Sequence, residues 1–200
     1  MEGLTLVIGN KNYSSWSMRA WVLLAQLGIP FEERKLRFHS DEWDAGIGRW
    51  SPSGLVPVLW RGDLAVWDTL AIAESVAEWF PGKGVWPEDP AARAFARSAS
   101  AEMHAGFRNL RSAMPMNIRS SHPGKGMTPQ VRMDIDRIEL LWREARSRFG
   151  TGGDFLFGRF CAADAMFAPV VMRFATYGVA CAPVAQRYCE AVTAASAVRD

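Results

Sequence analysis

The 200-residue sequence is poor in cysteine and histidine, with three of each. Cys161, Cys181 and Cys189 all fall in the last quarter, an odd number with no CxxC pair. That excludes a disulfide framework, disfavours a metal site and makes the reducing cytoplasm the expected compartment. His39, His104 and His122 are too dispersed for a His/Cys metal cluster, so no metal is expected. Neither sign of charge dominates: 23 Lys and Arg face 21 Asp and Glu, for a net charge of +2. Basic residues are interleaved with acidic ones, which argues against a nucleic-acid partner, since that requires a concentrated basic face. No apolar run approaches the ~18 residues of a membrane span. The most apolar helical segment, around 162–175, carries Asp164 and Arg173. The opening "MEGLTLVIGN" has no basic flank, so neither a secretory signal nor any membrane association is expected.

What the chain does hold is apolar material for a core, 49% of its residues, including nine Trp and eleven Phe. "LTLVIG" (4–9) is short and β-branched and reads as a buried strand. From Ser17 to Leu27 the residues Ala20, Leu23, Leu24 and Leu27 recur at helical spacing, and Gly28 and Pro30 stop the pattern. Residues 31–38 form an imperfect alternation suited to an edge strand, and 41–49 a short helix. "VPVLW" (56–60) and "LAVW" (64–67) flank a Gly turn and read as a hairpin. "DTLAIAESVAEWF" (68–80) follows as a helix capped by Asp68 or Thr69. The order β-α-β-α-β-β-α specifies a small α/β layer unit over residues 1–80. The Pro- and Gly-rich segment 81–90 reads as a linker. Beyond it only helical patterns occur: a long one over 91–117 that Pro115 bends or ends, then 130–149, 162–177 and 182–196. Residues 91–200 are therefore expected to form an all-α unit.

Four stretches share a resemblance. "SSWSMRAWVLLAQLGI" (14–29) is similar to the zeta-class pattern of paired serines, a third serine and an Arg-bearing helix ending in Gly-Ile. "SPSGLVPVL" (51–59) resembles a Pro-x-Gly-x-Val-Pro-x-Leu element, "DTLAIAE" (68–74) a Glu/Gln-Ser-x-x-Ile segment, and "FLFGRFCAADAMFAP" (155–169) a Gly-x-x-x-Ser/Thr-x-Ala-Asp box. In this order they resemble the cytosolic glutathione transferases of the serine type, zeta-like or of a related bacterial class. The resemblance implies a thioredoxin-like first domain with a four-stranded mixed sheet, followed by a helical bundle. It also implies glutathione as co-substrate, a small electrophilic second substrate and a homodimer. Two positions depart from the zeta pattern: Trp16 stands where Cys is usual, and Leu55 where many relatives have Lys or Gln.

The implied chemistry can be weighed against capping, the ordinary duty of hydroxyls before a helix. A free thiol has a pKa of about 8.5, and lowering it by roughly two units requires ~2.7 kcal/mol in favour of the anion. One hydroxyl donating to sulfur supplies about 1.5–3 kcal/mol. The helix N-terminus adds about 0.3–1 kcal/mol. Ser14 is the first candidate donor and Ser15 the second, with Tyr13 a rival and Ser17 the expected N-cap. By resemblance, Val56 and a cis Pro57 present backbone to the cysteinyl unit of glutathione. Asp68 and Thr69 take its γ-glutamyl end, while Trp16 and His39 border the site. Met103, Phe107, Arg111 and Met114 are the expected second-substrate pocket. A glutathione-dependent cis–trans isomerase of a maleyl-type diacid and a non-catalytic glutathione-binding or protein-interaction module are the alternatives to a transferase that conjugates an electrophile or reduces a peroxide.

Overall fold

A computed structural model describes residues 3–200; Met1 and Glu2, which the expected first unit includes, lie outside the described residues. Four strands, β1 (Leu4–Ile8), β2 (Glu32–Lys35), β3 (Val58–Arg61) and β4 (Leu64–Trp67), form one sheet in the order β2-β1-β3-β4. β1 runs parallel to β2, with Leu6 opposite Glu33, and antiparallel to β3, with Leu6 opposite Leu59. The β3–β4 pair is the expected hairpin. This is the mixed thioredoxin-like sheet that the resemblance implied.

Side-chain alternation decides what covers each face. Leu4, Leu6, Ile8 and Leu59 point into the main core, beneath α1 (Ser15–Gln26) and α3 (Thr69–Trp79). Val7 and Val58 point the other way, where Trp43, Ile47 and Trp50 of α2 (Asp41–Trp50) cover them. Burial of these side chains is the main favourable term holding the layers together, at about 25 cal/mol per Å² of apolar surface.

After a short 3-10 turn at Pro81–Lys83 the chain is helical: α4 (Pro90–Ala105), α5 (Arg108–Ala113), α6 (Pro129–Phe149), α7 (Ala162–Tyr177), α8 (Pro183–Ala194) and α9 (Ser196–Arg199). α7 is buried nearly all round, which is why its sequence is apolar on every face. It touches α1, α4 and α8.

Two local expectations change. The helix expected over 91–117 is broken well before Pro115, at Gly106 and Phe107. A Cβ on Gly106 would lie 2.8 Å from the Glu102 carbonyl oxygen, and Phe107 adopts a left-handed φ of 57°. The first helix therefore terminates there, and α5 restarts at a new angle. The second change concerns α1, which begins two residues earlier than expected. Its N-cap is Ser14 rather than Ser17, with the Ser17 N–H donating to Ser14 Oγ at 3.3 Å.

Candidate active site

The segment entering α1 holds three serine hydroxyls with three different fates. Ser17, 1% exposed, accepts from the Gly9 N–H at 3.0 Å and from the Ser14 hydroxyl at 2.8 Å, tying the helix to the end of β1. Ser14 caps the helix and donates to Ser17, so its oxygen is engaged twice. Ser15, in the first turn, lines an open cleft, and no hydrogen bond among the described residues uses its hydroxyl. Tyr13 is 56% exposed and does not line this cleft.

The cleft has a volume of about 690 Å³ and lies between the start of α1 and the bundle. Besides Ser15, the residues that shape it are Trp16, His104, Arg108, Arg111 and Arg173. Trp16 is half-buried; Arg19 stacks over its ring at 4.3 Å and Arg111 at 4.7 Å, while His104 meets it edge-on at 5.0 Å. The backbone break described above places Arg111 here. Its Nη1 donates to the carbonyls of His104 (3.3 Å) and Gly106 (3.4 Å), groups that α4 leaves unsatisfied at its C-terminus.

The guanidinium groups sit under electrostatic stress. Arg19, 2% exposed, has its pKa brought down to about 9, first by burial and then by the neighbouring Arg111 and Arg173. Arg173 is brought down to about 10 by burial and by Arg111. Arg111 is lowered by burial and by Arg108. Their hydrogen bonds go to backbone: Arg19 Nε to Met166 O at 3.2 Å, Arg173 Nε to Met114 O at 2.9 Å and Nη1 to Pro169 O at 3.2 Å. Arg19 Nη1 is buried with no partner among the described residues.

Asp68 caps α3 through a 2.8 Å bond from the Leu70 N–H, from a backbone φ of 75°. Its second oxygen meets His104 Nε2 at 2.5 Å, which links the α3 terminus to Trp16 and the cleft. Thr69 is 3% exposed, and its hydroxyl is covered and unpartnered among the described residues. The Val56–Pro57 bond is cis, as the resemblance implied, and no hydrogen bond among the described residues engages the Val56 backbone. His39 is exposed on the turn before α2, with a φ of 57°. Neither His39 nor Val56 lines the cleft that holds Ser15.

The expected apolar pocket is not found where Met103, Phe107 and Met114 were placed. Met103 and Met114 are 0% exposed and Phe107 8%, and all three belong to the main core. Of that group Arg111 alone lines the cleft. Arg19, His104, Arg108 and Arg173 were not foreseen as site residues. An arginine inside the most apolar helical stretch of the chain, with no acidic residue beside it in sequence, was the available signal for Arg173. Among the described residues no three His, Cys, Asp or Glu side chains gather to hold a metal ion, and no helix is long and apolar enough to cross a membrane.

Residues 13–79 match the family described as glutathione S-transferase, N-terminal domain. The whole chain shares its fold with a glutathione transferase homologue from Burkholderia, solved with bound glutathione, at a TM-score of 0.72 and 24% identity, covering 99% of this chain and 95% of that one. Residues 13–79 thus carry a glutathione S-transferase N-terminal domain, and the chain as a whole has the fold of these transferases. Glutathione transferase Omega 3C from Trametes versicolor has the same fold, with a TM-score of 0.72, 19% identity and coverage of 99% and 83%. Among curated proteins, a probable maleylacetoacetate isomerase of Caenorhabditis elegans is 25% identical over 145 residues, 70% of this chain and 68% of its own. The dichloromethane dehalogenase of Methylorubrum extorquens is 36% identical over 63 residues, 30% of this chain and only 22% of that protein.

Proposed function

We propose that this protein is a glutathione transferase in which the Ser15 hydroxyl donates a hydrogen bond to the glutathione sulfur, holding it as thiolate for attack on an electrophile. The observation that carries this reading is the division of labour at the start of α1. Ser14 and Ser17 are spent on each other and on backbone, whereas Ser15 faces the cleft with its hydroxyl free. A hydroxyl in the first turn of a helix acts together with the helix N-terminus on the same anion. In this proposal residues 1–80 bind glutathione, 81–90 connect, and 91–200 supply the second-substrate side. Val56 offers its free backbone groups to the cysteinyl unit, and the α3 terminus at Asp68 and Thr69 receives the γ-glutamyl end. Trp16 and His39 border the tripeptide. A cytoplasmic homodimer belongs to the same proposal.

The test is a pH titration of thiolate ultraviolet absorbance in the glutathione complex. Ser15→Ala is expected to raise the bound thiol's pKa by about one to two units, with a matching loss of conjugation. An unchanged titration in Ser15→Ala would discard the assignment. Turnover that leaves the free-thiol concentration constant would move the reading to an isomerase.

A further inference from the structure

The guanidinium groups at the cleft present more positive charge than the protein balances. Arg108, Arg111 and Arg173 line it, and Arg19 stands behind Trp16. Asp68 is the carboxylate whose charge reaches Arg19, and it is already hydrogen-bonded to His104. Arg111, Arg173 and Arg19 are anchored through backbone carbonyls, which orient a guanidinium without neutralising it. Arg19 in addition keeps a buried Nη1 with no acceptor among the described residues. The Trp16 ring, with guanidiniums against it, offers little apolar surface to a stacking ligand. The side chains that would have made an apolar pocket, Met103 and Met114, are sealed in the core. These cations come from α5, α7 and the inner side of α1, whereas the glutathione contacts proposed above, apart from Ser15 and Trp16 of α1, come from His39, Val56 and the start of α3.

We propose that the cleft receives an electrophile bearing a carboxylate, seated on Arg111 and Arg173 beside the Ser15-held thiolate. This inference rests on the transferase reading and names its substrate class. A fixed fork of N–H donors suits the planar carboxylate, and an anion supplies the counter-charge that the arginines lack. With a chloronitrobenzoate the glutathione sulfur bonds to the ring carbon bearing chlorine. Chloride then leaves with the bonding electron pair, so no oxidant or reductant is needed.

The experiment compares 4-chloro-3-nitrobenzoate with 4-chloro-3-nitrobenzamide, each kcat/KM divided by its uncatalysed rate with glutathione. The wild-type ratio is expected to favour the acid, and Arg111→Met to lower that ratio by about ten- to a hundredfold. Arg111→Lys should recover part of it. Because Arg111 also ties the end of α4, thermal unfolding accompanies each variant. Arg108→Met, which leaves those carbonyls untouched, gives a smaller fall in the same ratio even if Arg111→Met does not fold. Calorimetric binding of unreactive 3-nitrobenzoate reads the inference without turnover and should weaken in parallel. A wild-type ratio near one, or equal 3-nitrobenzoate binding in wild type and variants, overturns the proposal. So does a fall in glutathione affinity or thiolate absorbance alone in Arg111→Met, which would assign the arginines to the tripeptide. Absence of bound thiolate with 3-nitrobenzoate still bound through Arg111 would instead remove the transferase reading and leave the anion site standing.

Discussion

The first turns of α1 and α7 pack in the same interior yet use their polar groups differently. At α7, the Asp164 carboxylate is fully buried and accepts from the Cys161 N–H at 2.9 Å and the Leu156 N–H at 3.1 Å. It satisfies backbone donors and faces no cleft. At α1, Ser14 performs the corresponding service for the Ser17 N–H, but a second hydroxyl follows it, and that one is unclaimed. Capping physics is the same in both places. A helix start becomes a chemical site only where a polar group is left over and meets solvent-accessible space.

The sharpest way to break this contrast is at Asp164. Replacing it with Ala leaves two buried N–H groups unpaired, and a loss of about 3 kcal/mol in denaturant unfolding is expected. Its pH dependence has a definite sign. Burial raises the carboxyl pKa from 3.8 to about 6 against the opposing pull of its hydrogen bonds. The native state therefore holds this proton more tightly than the unfolded chain does. The resulting contribution is complete below about pH 4 and disappears as pH climbs through about 6. Unfolding free energies across that window should show this falling component in the wild type and lack it in Asp164→Ala. At α1, Ser15→Ala is the next largest change, equivalent to about 1.4–2.7 kcal/mol on the bound thiol and within ~0.5 kcal/mol on folding. Smallest is Ser14→Ala, expected to cost about 1 kcal/mol of stability as a lost cap, with a smaller effect on the thiol than Ser15→Ala. If Ser14→Ala instead shifts the thiol more than Ser15→Ala, the contrast drawn between the two serines fails.

Much of the layered fold was legible because its signals are local. A short β-branched run marked β1, a Gly turn between two apolar runs marked the hairpin, helical spacing marked α1 and α3, and Gly28 and Pro81 punctuated the helices. The interruption at Gly106 was not, since a single Gly inside a helical pattern is commonly tolerated, and Pro115 offered a stronger reason to end the helix. The serine pair was legible as a candidate site, but which serine keeps its hydroxyl free depends on where the cap falls. That is set by the tertiary bond from Gly9 to Ser17. The arginines were the least legible. Arg19, Arg111 and Arg173 lie 62 or more residues apart in sequence, and only the packing of α1, α5 and α7 brings their charges together. The methionines of α4 and its continuation read equally well as core or pocket from spacing alone, and the fold uses them as core.

The brevity of α5 gives the molecule a separable adaptor. Its six residues, Arg108–Ala113, hang between the break at Gly106 and Phe107 and the loop from Met114, and they carry both Arg108 and Arg111. Under the proposed reading, exchanges within that one turn and a half retune which acceptors are welcomed, while the turn assigned there to the sulfur, built from a different stretch of chain, stays as it is.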